Sequence, residues 1–195
     1  MDSGSVAFLR ELLAETGWLD RARELGLALR TTRSPGGLLL VGTPDDEPWH
    51  LTAHLADEAR ISGLSQLTPT LVRWDPPAGA PAHLSVGLDR LERAARGETL
   101  FVLSEQQAPV PLLERVDDAR RTGATILAIE GGEGGDPELA GLAHDAIAVP
   151  RDGLVTFDGA QHLVSAAAGE LEQRPRLRER LARLLDKVSG PQVTD

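Results

Sequence analysis

The 195-residue chain contains no cysteine, which excludes disulfides and thiolate metal sites and suits a reducing compartment. It has no tyrosine, three phenylalanines and three tryptophans, leaving little aromatic surface on which bases could stack. Positive charge is in deficit. The formal net charge of -10 repels phosphate backbones and argues against nucleic-acid binding. No apolar run approaches membrane-spanning length, and the N-terminus lacks a basic segment followed by an apolar signal core. A cytoplasmic protein away from membranes is therefore expected. Internal repeats and long linkers are missing too, as are a Gly-x-Ser-x-Gly elbow, a His-Glu-x-x-His helix and any Cys/His cluster.

What is present is enough apolar residue, 41% of the chain, to pack an interior, in a length that suits one α/β domain. Its clearest organising stretch is 99–150. An apolar run ending in Ser104 leads through a polar loop into a helix-period segment over 110–122. A second apolar run follows over 124–129, then a Gly-rich loop and the short run Ala146-Ile-Ala-Val. Two apolar runs flanking a helix make a βαβ unit, which needs a parallel sheet. In such sheets ligands sit at the carboxyl ends of the strands, so the loop over 104–109 is expected to wall any small-molecule site.

The remaining elements follow by the same reasoning. Helices are expected over 5–13 and 19–30, the second presenting Leu19, Ala22, Leu25 and Leu29 on one face, to lie on the sheet or against another subunit. Leu38-Leu-Leu-Val reads as a central strand buried on both faces, after a Ser34-Pro-Gly-Gly turn. A helix over 49–62, a strand over 71–74 and a helix over 85–96, with Val86, Leu88, Leu91 and Ala95 inward, precede the central unit. An alanine-rich helix over 158–171, capped by Asp158, and a charged helix over 177–188 close the chain. The fold class is α/β, a three-layer αβα sandwich on a five-stranded parallel sheet with two leading helices. Residues 1–190 form one domain: a helical pair over 1–33, an α/β core over 36–150, terminal helices over 158–188, and a tail over 191–195.

Leu100-Phe-Val-Leu-Ser, the helix closing in Arg121-Thr-Gly-Ala-Thr-Ile, the segment over 139–143 and His144-Asp-Ala-Ile-Ala-Val-Pro together resemble the SIS (sugar isomerase) domain. Gly36-Gly-Leu-Leu-Leu-Val-Gly fits that family's first strand and loop, and the likeness covers roughly residues 19–172. In layout the chain is nearest the small phosphoheptose isomerases. The resemblance implies a flavodoxin-like sheet, a phosphosugar or similar anion as ligand, and a pocket built at a dimer or tetramer interface. It also implies ligand-binding roles in the two rim loops, for Gly42 and Thr43 in the first and Ser104, Gln106 and Gln107 in the second. The loops depart from the family pattern. The first, Gly42-Thr-Pro-Asp-Asp-Glu-Pro, has two prolines that donate no N–H and three acids. Two anions 4 Å apart repel by roughly 1 kcal/mol even in water.

His50, His54 and Glu58 fall at i, i+4 and i+8 on one helix and span about 80° of arc. Two imidazoles and a carboxylate on one face can bind a divalent metal such as zinc, or pair as a base and its orienter. The resemblance matches His54 and Glu58 to the isomerases' catalytic and metal pair, and Gln161 to a later glutamine that binds ligand and metal. The later histidine of that set falls near Gly169 and is absent; His162 is expected to point elsewhere. Arg73 at a strand end can meet an anion or form a surface ion pair. Gly131-Gly-Glu-Gly-Gly, without the Lys-Ser/Thr of a phosphate-binding loop, reads as a flexible connector, and His83 and His144 as structural or solvated. Three functions follow. The chain is a sugar-phosphate or related polar-ligand binding protein of regulatory type, a phosphosugar isomerase with Glu58 as base, or a scaffold with a lost ligand site. Loop residues 45–47 blocking the pocket would mark the third.

Overall fold

A computed structural model describes residues 16–33 and 35–170. The helices expected over 5–13 and 177–188, and Ser34 of the first turn, lie outside the described residues.

All four residues of β1 (Leu38–Val41) are buried. Successive strand side chains point to opposite faces, so only a strand covered on both sides buries such a run. β1 pairs with β2 (Pro69–Leu71) on one edge and with β3 (Thr99–Ser104) on the other. β4 (Thr125–Gly131) and β5 (Asp145–Val149) follow, in the order β2-β1-β3-β4-β5 with every pairing parallel. Leu38, Leu40, Phe101, Leu103, Leu127 and Ile129 face a layer made by α1 (Trp18–Leu29), α2 (Trp49–Ser62) and, after β5, α6 (Phe157–Gly169). Leu39, Val41, Leu100, Val102, Ile126 and Ala128 face the opposite layer, made by α3 (Asp89–Glu92), α4 (Val110–Arg121) and α5 (Pro137–Leu142). This is the three-layer α/β arrangement on a five-stranded parallel sheet.

The layers follow from chirality. The chain leaves β1 toward one edge of the sheet and leaves β3 and β4 toward the other. Keeping all three crossovers right-handed puts α2 on one face and α4 and α5 on the other. The loops after β1 and β3 therefore diverge, leaving a crevice between them at the carboxyl rim. α1 lies on the sheet, burying Ala22, Leu25, Gly26 and Leu29, and α6 packs along both α1 and α2.

Four expectations are corrected. The edge strand is Pro69–Leu71, starting two residues and ending three residues earlier than expected, with Pro69 at the first position of an edge strand, where its missing N–H is tolerated. Val72 still donates to Leu40, but Arg73 then bridges to Gly87 and its N–H bonds the Val86 carbonyl. That bridge engages 86–87, and the helix expected over 85–96 shrinks to the single turn of α3. Ala94, rather than Ala95, is the buried alanine beyond it. The cap of α6 is Thr156, whose hydroxyl accepts the Gly159 N–H at 3.0 Å; Asp158 is the second residue of the helix.

Candidate ligand cleft and histidine cluster

A cleft of about 810 Å³ opens at the carboxyl rim where the strand order reverses. Its walls are Thr43, Pro44, Asp45 and Asp46 after β1, Glu105, Gln106, Gln107 and Pro109 after β3, and Thr156, Phe157 and Asp158 at the start of α6. The loop after β3 thus forms one wall.

The first loop folds back on itself. The Asp46 N–H bonds the Thr43 carbonyl at 3.2 Å, and the turn closes over Gly42. A Cβ there would run into the Asp46 carbonyl and sit 2.9 Å from the Pro48 ring, so Gly42 shapes the loop from beneath. Glu47, one of the loop's three acids, turns away from the cleft. It accepts from Arg73 Nε at 2.9 Å, from the Trp74 N–H at 3.0 Å and from Trp49 Nε1 at 3.1 Å. Arg73 also lies over the Trp49 ring, its guanidinium carbon 4.6 Å from the centroid, so its anion partner is Glu47. Asp45 and Asp46 remain to face a ligand. Partial desolvation, then the charge of Asp158, raises the pKa of Asp46 above its ordinary value.

The second loop is held from below. Ser104 is buried and donates to the Gln106 carbonyl at 2.5 Å, so its hydroxyl fixes the loop while Gln106 and Gln107 stand exposed on the wall. Asp136 accepts the Ala108 N–H at 2.8 Å with one oxygen and the Glu138 N–H at 3.0 Å with the other, capping α5. Glu130, at the end of β4, is 1% exposed and accepts the Asp136 N–H at 2.5 Å through Oε2, while Oε1 has no partner. Burial pushes its pKa up, against the lowering by that N–H bond. Gly131 brings the loops together: a Cβ would come within 2.8 Å of Glu105 backbone atoms. The segment read as a flexible connector is pinned at its two ends by these acids.

Among the described residues the cleft wall carries Asp45, Asp46, Glu105 and Asp158 and no lysine or arginine. Pro44, Pro48, Pro109 and Pro111 withhold N–H groups from the loops and from the start of α4. The wall is rich in hydrogen-bond acceptors, with the amides of Gln106 and Gln107 as its adaptable donors.

Beside the cleft, α2 and α6 bring three histidines together. His54 Nε2 lies 3.1 Å from His50 Nε2, and the His162 ring contacts both, with centroids 4.8 Å from His50 and 4.5 Å from His54. His162 therefore points at His54 and not elsewhere: one residue beyond buried Gln161, the helical turn swings it onto α2. Its pKa is lowered by desolvation and then by His54 and His50, against a raising influence of Asp158. Glu58 lies one turn further from the rim, its carboxylate where a side chain on Gly169 would go. Gln161 donates to Asp158 at 3.4 Å. No signal in the sequence links residues 50 and 54 to 162; only the packing of α6 on α2 does. His144 accepts the Ile126 N–H at 2.9 Å and is structural, and His83 sits exposed on a short turn. No helix among the described residues is long and apolar enough to cross a membrane.

No family model and no curated protein sequence matches this chain. Solved structures do. The chain is similar to the Vibrio vulnificus NanR protein complexed with ManNAc-6P, with TM-score 0.52 and 14% identity, over 97% of this chain and 72% of that one. It is also similar to a protein of Salmonella typhimurium LT2 described provisionally as sugar binding, with TM-score 0.41 and 14% identity, over 87% of this chain and 54% of that one. The first likeness establishes the fold alone.

Proposed function

We propose that this chain is an SIS-type binding protein for a small sugar-class ligand, a sugar phosphate or a related polar molecule, held in the cleft between the loops after β1, β3 and β5. The observation that carries this reading is the open cleft at the strand-order reversal, with Asp45 and Asp46 lining it and Glu47 turned out of it. A sugar offers hydroxyl donors, which four carboxylates accept, while Gln106 and Gln107 can both donate and accept and so fix orientation. Among the described residues of this wall a phosphate dianion meets four acids and no lysine or arginine. The neutral or amino sugar is therefore expected to bind more tightly than its phosphate ester. The fold shared with a protein that holds ManNAc-6P supports the ligand class.

Binding without turnover suits the geometry better than isomerisation. Glu58, the base of the isomerase reading, is not among the residues lining the cleft and lies toward Gly169. Self-association into a dimer or tetramer belongs to the same proposal and is read by sedimentation. The test of binding is a thermal-shift screen pairing sugars with their phosphate esters. A ligand at a hundredfold its Kd adds about 2.7 kcal/mol of stability. Stabilisation by a sugar, lost in Gln106→Ala/Gln107→Ala, is the expected result. A panel of sugars and esters that leaves the melting temperature unmoved would overturn the proposal.

A further inference from the structure

We infer that His50, His54 and His162 form a binding site for a divalent transition metal of the zinc class, with three imidazole ligands and one coordination position open. Three of the chain's five histidines converge here, each offering a ring nitrogen, and these nitrogens all lie within 4.8 Å of one another. Four-coordinate zinc with nitrogen ligands at about 2.0–2.1 Å sets those nitrogens roughly 3.4 Å apart. The His50–His54 pair, with its Nε2 atoms 3.1 Å apart, is already near that spacing. His162 closes on it by rotation of an exposed side chain. Two histidines at i and i+4 on one helix are the chelating half of such sites, and a third from a neighbouring helix completes the face.

The donor chemistry selects the ion. Imidazole nitrogens favour zinc, nickel and copper over magnesium and calcium, which require oxygen. No carboxylate belongs to the trio. A merely solvated polar helix face would leave its side chains apart in water. Here the three rings converge across two helices in tilted and edge-to-face contacts, with centroids 4.5 to 4.8 Å apart. The set differs from the one the family resemblance implies, since Glu58 is directed to Gly169 and Gln161 to Asp158. Asp158, one helical turn before His162, lines the cleft, so the trio lies next to the cleft wall. The inference stands whether or not the cleft takes a sugar.

Titration of the full chain with cobalt(II), and with zinc in competition, tests it. The expected result is one ion per chain, the strong visible absorption of four-coordinate cobalt, displacement by zinc and indifference to magnesium. His50→Ala and His162→Ala, both at exposed positions, are each expected to weaken binding at least tenfold while melting as the unloaded wild type does. Glu58→Gln is expected to leave binding unchanged. Failure to bind cobalt or zinc at one per chain would overturn the assignment. So would binding that survives both histidine variants, or binding abolished by Glu58→Gln.

Discussion

Glu47, in the loop after β1, and Glu130, at the end of β4, are both shielded at the carboxyl rim, yet their carboxylates are served very differently. Glu47 meets a guanidinium, a backbone N–H and an indole N–H, with its side chain 12% exposed. Glu130 meets one N–H, its second oxygen has no partner, and the residue is 1% exposed. The first loop is therefore tied down by charge, and tying it turns one acid out of the cleft and leaves two in it. The loops after β3 and β4 are tied by a chain of N–H bonds through Glu130 and Asp136, which holds Gln106 and Gln107 in place without any cation. Both devices position the cleft wall, and only one depends on an ion pair.

The contrast breaks most sharply at Glu47. Glu47→Ala leaves the Arg73 guanidinium, 16% exposed, without its partner, and a loss of about 3 kcal/mol is expected in urea denaturation. Next comes Asp136→Ala, which removes the α5 cap and the acceptor for the Ala108 N–H. It should cost about 2 kcal/mol and weaken ligand binding, because the second wall loosens.

Glu130→Gln should act in the opposite direction. A carboxyl whose folded pKa is raised binds its proton more readily in the folded chain than in the unfolded one. Its contribution is therefore most favourable below the unfolded value of about 4.3 and is lost as pH rises toward the folded value. The amide still accepts the Asp136 N–H. The variant is expected to match wild type near pH 4 and to be the more stable of the two at neutral pH. A constant difference across that range would show that the carboxyl is not held toward its neutral form. The smallest effect on stability belongs to Gln106→Ala and Gln107→Ala, exposed residues whose loss should shift unfolding by less than about 0.5 kcal/mol while reducing sugar binding.

The chain's own pattern made much of this readable. Leu38–Val41 is a continuous apolar run and formed the strand it announced, residue for residue; Trp49–Ser62 did the same between Pro48 and Gly63. The region around 85–96 misled because its apolar spacing is helical while Gly87 is taken up by a bridge to Arg73, a long-range bond that local periodicity does not report. The rim loops were legible as loops and as acidic. Which acid would turn outward was not, because it depends on Arg73 and Trp74 arriving from the neighbouring strand. Burial of Glu130 was hidden for a similar reason: an acid opening a Gly-rich segment looks solvated until Asp136 folds back onto it. His50 and His54 were visible as a pair, and His162 joined them only through the packing of two helices.

Amide chemical shifts followed during titration with the best-stabilising sugar show whether a ligand is recognised at the carboxyl rim beside the strand reversal. Shifts are expected at Thr43, Asp45, Asp46, Gln106, Gln107 and Asp158, around the cleft. Shifts confined to the amino ends of the strands, at Gly36, Gly97 and Gly123 in the turns that precede β1, β3 and β4, would contradict recognition at the rim.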